Sequence, residues 1–298
     1  MIASKLGEIA ALLTAVFWTA SALAFESASR RIGSLTVNLL RLILGFLFLS
    51  AFCFFQRGMG LPLDAPPKAW LWLSLSGVVG FSIGDLFLFR AFVVLGSRIS
   101  MLIMALVPPL TALLGWAVLG ETLSPTSFIG MALTLGGIAL VVLERAIDEK
   151  QIRLSHPAAG IGYALGGAAG QAVGLIFSKM GMEAYDPFPA SQIRILAGIA
   201  GFAVLFVLIR GWGRLPAALK DRRALFHTSI GSFFGPFLGV SFSLMAVKHT
   251  AAGIASTIMA IVPVLIIPPA VIFMKEKVNA KEVFGAAIAV AGVAVLFL

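Results

Sequence analysis

Charge is the first thing this sequence lacks. Only 12% of its 298 residues are Asp, Glu, Lys or Arg, against 60% hydrophobic residues and a mean hydropathy of +1.04. Soluble domains carry about 25% charged residues, so a water-soluble fold is excluded. Cysteine is nearly absent. Cys53 stands alone, which rules out an intramolecular disulfide and a cysteine-based metal site. The three histidines (His156, His227 and His249) are scattered, so no metal cluster and no cofactor is expected. No G-x-x-x-x-G-K-[ST] run occurs, nor any Gly-Lys pair, so nothing points to ATP-driven work. Alternating polar and apolar runs are missing, which argues against a membrane barrel. Carboxylates, histidines and nucleophiles do not cluster, so no enzymatic site is expected.

What remains is apolar sequence in runs of helical length. Ten stretches, at 7–25, 35–56, 69–95, 99–119, 126–143, 157–178, 188–209, 224–247, 251–273 and 281–298, suit helices crossing a hydrocarbon core roughly 30 Å thick. The expected fold is an all-α integral membrane protein of ten transmembrane helices. The net charge of +9 lies in short loops, where basic residues set topology and meet lipid headgroups rather than nucleic acid. Lys5, an apolar run and Ala22-Leu23-Ala24 imitate a signal peptide. Cleavage there is not expected, because the first stretch has a partner in the second half.

That partnership is the strongest signal in the chain. From Gly80 to Leu143, an ungapped shift of 155 residues gives 17 identities in 64 positions. They include Met104-Ala105 with Met259-Ala260, Pro108 with Pro263, Glu121 with Glu276, Gly130 with Gly285 and Gly137 with Gly292. Earlier, Trp18 to Arg41 and Gln171 to Arg194 are both intervals of 23 residues. The chain is read as two five-helix repeats, 1–143 and 157–298, joined by a loop at 144–156. Five is odd, so the second repeat must be inverted in the membrane.

Few polar side chains lie within the stretches, and each has two readings. Arg41 and Arg194, twinned by the repeat, are either snorkelling anchors or contacts for an anion or carboxylate. Asp85 is the one carboxylate well inside an apolar stretch. It either couples protons or holds a substrate amine, or it forms a structural pair, with Arg41 and Glu26 as candidate partners. Arg90 is five residues on, a poor intrahelical partner for Asp85. The repeat mates of Asp85 and Arg90 are Val240 and Met245. Gln171 either lines a pathway or bonds between helices. Glu121 and Glu276, each shortly before a helix start at Ser124 or Asn279, are read as complements to those helix N-termini. Glycines at every fourth residue (Gly162 to Gly174, Gly231 to Gly239, and Gly80 with Gly84) allow close helix approach. Pro108 and Pro109, and Pro263, Pro268 and Pro269, interrupt matching helices. Such matched interruptions point to a central binding site.

With these residues laid out, the chain resembles the EamA family of the drug/metabolite transporter superfamily. The telling motif is Leu106-Val107-Pro108, Leu119-Gly120-Glu121-Thr122-Leu123-Ser124, then Gly130 and Gly137. Its twin is Ile261-Val262-Pro263, Lys275-Glu276-Lys277, then Gly285 and Gly292. Trp18 and Arg41 also fit. The second copy departs in having Lys275 for the glycine and Gln171 for the tryptophan. The resemblance implies a secondary transporter in a bacterial inner membrane, often an exporter of amino acids or similar metabolites. It also implies a cavity lined by the first, third, fourth, sixth, eighth and ninth helices, with the fifth and tenth peripheral. Trp18, Arg41, Asp85, Arg90, Gln171 and Arg194 are the pathway candidates, with helix bends at Pro108 and Pro263. Partners would be a small-molecule substrate and the bilayer, with proton coupling as one option, in a monomer or weak homodimer. The alternatives are a facilitator or lipid-linked flippase subunit of the same fold, or a membrane scaffold. Lys and Arg number fourteen on one side of the ten stretches and five on the other. By the positive-inside rule this puts both termini outside, whereas the resemblance implies both inside.

Overall fold

A computed structural model describes residues 5–95, 97–148, 157–183, 185–274 and 278–298. Among them no strand occurs. In the first repeat, α1 (Leu6–Ile32) and α2 (Ser34–Arg57) are followed by α3 (Pro67–Gly77), a π-helical segment (Val78–Gly84) and α4 (Asp85–Leu95), which continue one another. Then come α5 (Ser97–Met104), α6 (Val107–Leu119) and α7 (Pro125–Asp148). The second repeat begins with α8 (Pro157–Met182) and α9 (Pro187–Leu208), with a short connection containing α10 (Leu215–Ala218). It goes on through α11 (Arg222–Ser232), a second π-helical segment (Phe233–Gly239) and α12 (Val240–His249). It ends with α13 (Ala252–Met259), α14 (Val262–Leu265), α15 (Ile267–Met274) and α16 (Ala280–Leu296).

Among the described residues, eight helices are long and apolar enough to cross a membrane. Two of the ten expected stretches fall short of that length. The fourth is broken after α5, leaving the 13 residues of α6, and α16 has 17. Their ends are built as the turn chemistry requires. Ser124 Oγ accepts from Ser127 N at 3.1 Å to open α7, and Asn279 Oδ1 accepts from Glu282 N at 2.9 Å to open α16. Each satisfies one of the amide groups that a helix start leaves free.

The two halves interlock element by element. α7 packs on α16, α2 on α9, and α6 on α13. α1 lies against α11, α12 and the π segment between them, as α8 lies against α3, α4 and theirs. The α7–α16 contact fixes the relative direction. A Cβ built on Gly137 would stand 2.5 Å from Gly285 O, and one built on Gly292 would stand 2.8 Å from Gly130 O. Residue numbers rise on one helix as they fall on the other, so these repeat mates run antiparallel. The repeat is inverted. No hydrophobic force draws helices together in lipid, so association rests on such close backbone contact. The Gly80–Gly174 and Gly84–Gly170 approaches, at 3.1 and 2.9 Å by the same measure, do this for α8 and the first π segment.

The prolines do not bend continuous helices, as expected from sequence, but open new ones. α5 ends in a tight turn at Ala105–Leu106, where Leu106 N donates to Ile103 O. α13 ends identically, Ile261 N donating to Ile258 O. Pro108 and Pro263 then fall in the first turn of α6 and α14, where a missing N–H costs nothing.

Candidate functional site

The first π segment delivers Asp85 to the centre of the molecule. A π turn adds a residue to the helical register and is frequent at functional sites. The segments Val78–Gly84 and Phe233–Gly239 occupy equivalent places, 155 residues apart. Immediately after the first, Asp85 Oδ2 accepts from Arg41 Nη2 of α2 at 2.6 Å, and Asp85 Oδ1 accepts from Gln171 Nε2 of α8 at 3.1 Å. Gln171 Nε2 also reaches Gly80 O, at 3.3 Å, inside the π segment. Phe25 of α1 lies under the Arg41 guanidinium, its ring centroid 5.7 Å away. Four helices therefore meet on one ion pair. Its side chains are mostly buried, 22% exposed for Arg41 and 10% for Asp85. Removing one partner of such a pair strands the other charge, which costs about 3–5 kcal/mol.

The second repeat builds the same place differently. The indole of Trp18, the mate of Gln171, lies over Gly239, whereas Gly84 faces the main chain of α8 at Gln171. Val240 stands where Asp85 stands. Arg194, the mate of Arg41, is 5% exposed and rests on the Phe81 ring at 4.9 Å.

Comparison with known proteins decides the family. The model of the EamA-like transporter family matches this chain twice, over residues 5–143 and 158–298. The chain belongs to the EamA-like transporter family. A crystal structure 18% identical in sequence superposes with a TM-score of 0.76, covering 97% of this chain and 95% of the other. That likeness is one of fold. No curated protein matches the sequence.

This EamA-like chain is thus a multi-pass membrane transporter of the drug/metabolite superfamily. Of the residues singled out from sequence, Arg41, Asp85 and Gln171 come together directly. Trp18 and Arg194 occupy the equivalent positions of the other half. Arg90 is exposed and does not join the ion pair. Glu26 pairs instead with Arg30, at 2.7 Å.

Glu121 requires a correction. It does not serve the helix that follows it. Its Oε2 accepts from Ala252 N at 2.8 Å, 131 residues away, capping α13. Its Oε1 lies 2.5 Å from Lys179 Nζ of α8, and Lys179 Nζ donates to Thr250 O at 2.7 Å. Thr250 Oγ1 in turn donates to Glu8 of α1 at 3.3 Å. One ion pair and three hydrogen bonds thus tie α1, α6, α8 and α13 at the end where α1 begins. Glu276, the repeat mate of Glu121, lies outside the described residues. Sequence reading missed Lys179, whose role depends on contacts distant along the chain.

The same end carries a second polar group. Arg57 pairs with Asp64, and Tyr185 Oη donates to Asp64 Oδ1 at 3.0 Å. The Arg57 hydrogen bond holds the Asp64 carboxyl below its ordinary range, while burial pushes the Tyr185 hydroxyl up to about 12. Lys68 pairs with Glu183 across the ends of α3 and α8. At the opposite end, Asp221 caps α11 by accepting from Ala224 N at 3.0 Å, and it accepts from Arg31 Nε at 2.9 Å. A hollow of about 280 Å³, lined by Pro66, Lys68, Gly181, Met182 and Tyr185 among others, lies at the end of α8, away from the central pair.

Proposed function

We propose that this protein is a secondary transporter that exports amino acids or similar small metabolites across a bacterial inner membrane by alternating access. One observation carries the reading. Two antiparallel halves are interrupted at matching places, by the π segments and by the breaks at 105–106 and 260–261, and the first π segment leads directly into a buried ion pair. Freed backbone groups at such depth are tolerated only against protein or a wet cavity. Matched breaks give each half a hinge at the same depth, so the halves can exchange conformations about the centre. The Glu8–Thr250–Lys179–Glu121 group then acts as the closed gate of one state. Opening it would let α1, α6, α8 and α13 separate at that end.

The Arg41–Asp85 pair gives the cycle a means of proton coupling. A proton on Asp85 would release Arg41, and Gln171 would keep the neutral carboxyl oriented. The family likeness supports a metabolite rather than a large solute as cargo.

The test is a reversible lock. With Cys53→Ser as background, Glu121→Cys and Lys179→Cys are combined and oxidised in proteoliposomes. Uptake should stop on oxidation and return with reductant. Uptake that continues through a demonstrated cross-link would show that this end does not gate the pathway.

A further inference from the structure

Arg194 is a buried cation without a partner. Its side chain lies within the bundle and the residue is 5% exposed. Among the described residues no oxygen accepts a hydrogen bond from its guanidinium, and its Nε is fully enclosed. The Phe81 ring lies against it, its centroid 4.9 Å from the guanidinium carbon. A guanidinium offers five donors in a planar fork, and an isolated buried charge is paired in almost every protein that keeps one. Burial that raises no acceptor to meet it leaves a vacancy in the electrostatics.

The repeat says what would fill it. Arg41, the mate of Arg194, is met by the carboxylate of Asp85 at 2.6 Å. The mate of Asp85 is Val240. The first half therefore holds a guanidinium with its carboxylate, and the second half holds the guanidinium alone. The guanidinium reaches the π segment at Gly80: Arg194 Nη2 is 3.7 Å from where a Cβ on Gly80 would stand. Gly80 sits in the π segment Val78–Gly84, so the Arg194 guanidinium lies against the interruption that the two repeats share.

We infer that Arg194 binds the carboxylate of the transported substrate, which takes the place that Asp85 fills in the other repeat. A single uncompensated guanidinium matches a single negative charge, so the substrate class is a small monocarboxylate, accepted through paired N–H···O bonds. A phosphate dianion would bring one charge too many. The aromatic face of Phe81 favours an apolar body behind the carboxylate. Because Arg194 is enclosed in this state, access to it depends on the alternating-access reading above.

The experiment uses the full chain in detergent and in proteoliposomes. Thermal unfolding is followed with the standard amino acids, with straight-chain and aryl-alkyl monocarboxylates such as 3-phenylpropionate, with the corresponding amides, and with inorganic phosphate. At least one monocarboxylate should stabilise the protein while its amide does not. Arg194→Met should raise the half-saturating concentration about tenfold or more, and Arg194→Lys should retain part of the binding. Val240→Asp supplies the missing carboxylate internally and should abolish ligand stabilisation while raising the unfolding temperature of the empty protein. If Val240→Asp does not fold, Arg194→Met decides alone. The inference is overturned if acid and amide stabilise equally, if phosphate alone stabilises, if nothing in the panel does, or if Arg194→Met binds as the parent does. Counterflow separates this from the transport reading. Carboxylate binding without counterflow would sink transport and leave the site. Counterflow confined to metabolites that carry no carboxylate would leave transport and sink the site.

Discussion

Arg41 and Asp85 meet at 2.6 Å from two helices that are neighbours in neither sequence nor packing order, joined at the first residue after a π segment. That contact makes the pair a test of where the protein stores its polar energy. Asp85→Asn removes the charge that neutralises Arg41 and should cost about 3–5 kcal/mol in unfolding free energy. Arg41→Met combined with Asp85→Leu removes both charges and should recover most of that loss. Unfolding of the single and double variants gives the coupling energy. A double variant as unstable as the sum of the singles would mean that the pair contributes nothing as a pair.

The same pair bears on energy coupling. If Asp85 carries the proton, Asp85→Asn should flatten the pH dependence of transport in proteoliposomes while the folded fraction, measured alongside, stays usable. Transport with an unchanged pH profile would exclude Asp85 as the carrier.

Gly136 and Gly137 are adjacent, and the structure separates them sharply. A Cβ on Gly137 would stand 2.4 Å from Ala289 N, whereas one on Gly136 meets nothing within 4 Å. Gly137→Ala should therefore force α7 and α16 apart and cost about 1–3 kcal/mol or more. Gly136→Ala should be neutral or gain up to about 1 kcal/mol from helix propensity. Equal effects in detergent unfolding would contradict the close approach of the two helices.

The Arg57–Asp64–Tyr185 group predicts a pH window. Asp64 is held below its ordinary range chiefly by the Arg57 hydrogen bond. Its contribution is present above the unfolded carboxylate range and is lost as pH falls through the lowered folded value. Tyr185 is pushed up to about 12 by burial, so its share is complete below the unfolded value of about 10. That share fades as pH rises towards 12. The excess stability of the parent over Asp64→Asn should thus be visible at neutral pH and vanish on strong acidification. It should be small, because the group is at the surface. An excess that persists at low pH would refute the assignment.

Much of this was legible in the sequence, because the repeat leaves exact residue coincidences. Proline pairs located both helix breaks, and isolation in apolar sequence left Arg41 and Glu26 as the two candidate partners of Asp85, of which packing selects Arg41. Three things were hidden. A π segment has no residue signature, so the shift that presents Asp85 could not be read from Val78–Gly84. The prolines looked like bends because spacing cannot distinguish a kink from a new helix start. Glu121 looked like a local helix complement because its partners, Lys179 and Ala252, come near only when the halves interlock. Arg194 was visible as a charge, but only packing reveals that it lacks an acceptor.

The most direct measurement of the transport claim is counterflow into proteoliposomes preloaded with a panel of amino acids and small metabolites, run at two pH values. The account predicts transient accumulation of one chemical class, with a rate that changes with pH and is lost when the Glu121–Lys179 end is cross-linked. No counterflow by any member of the panel, from protein shown to be folded, would contradict it.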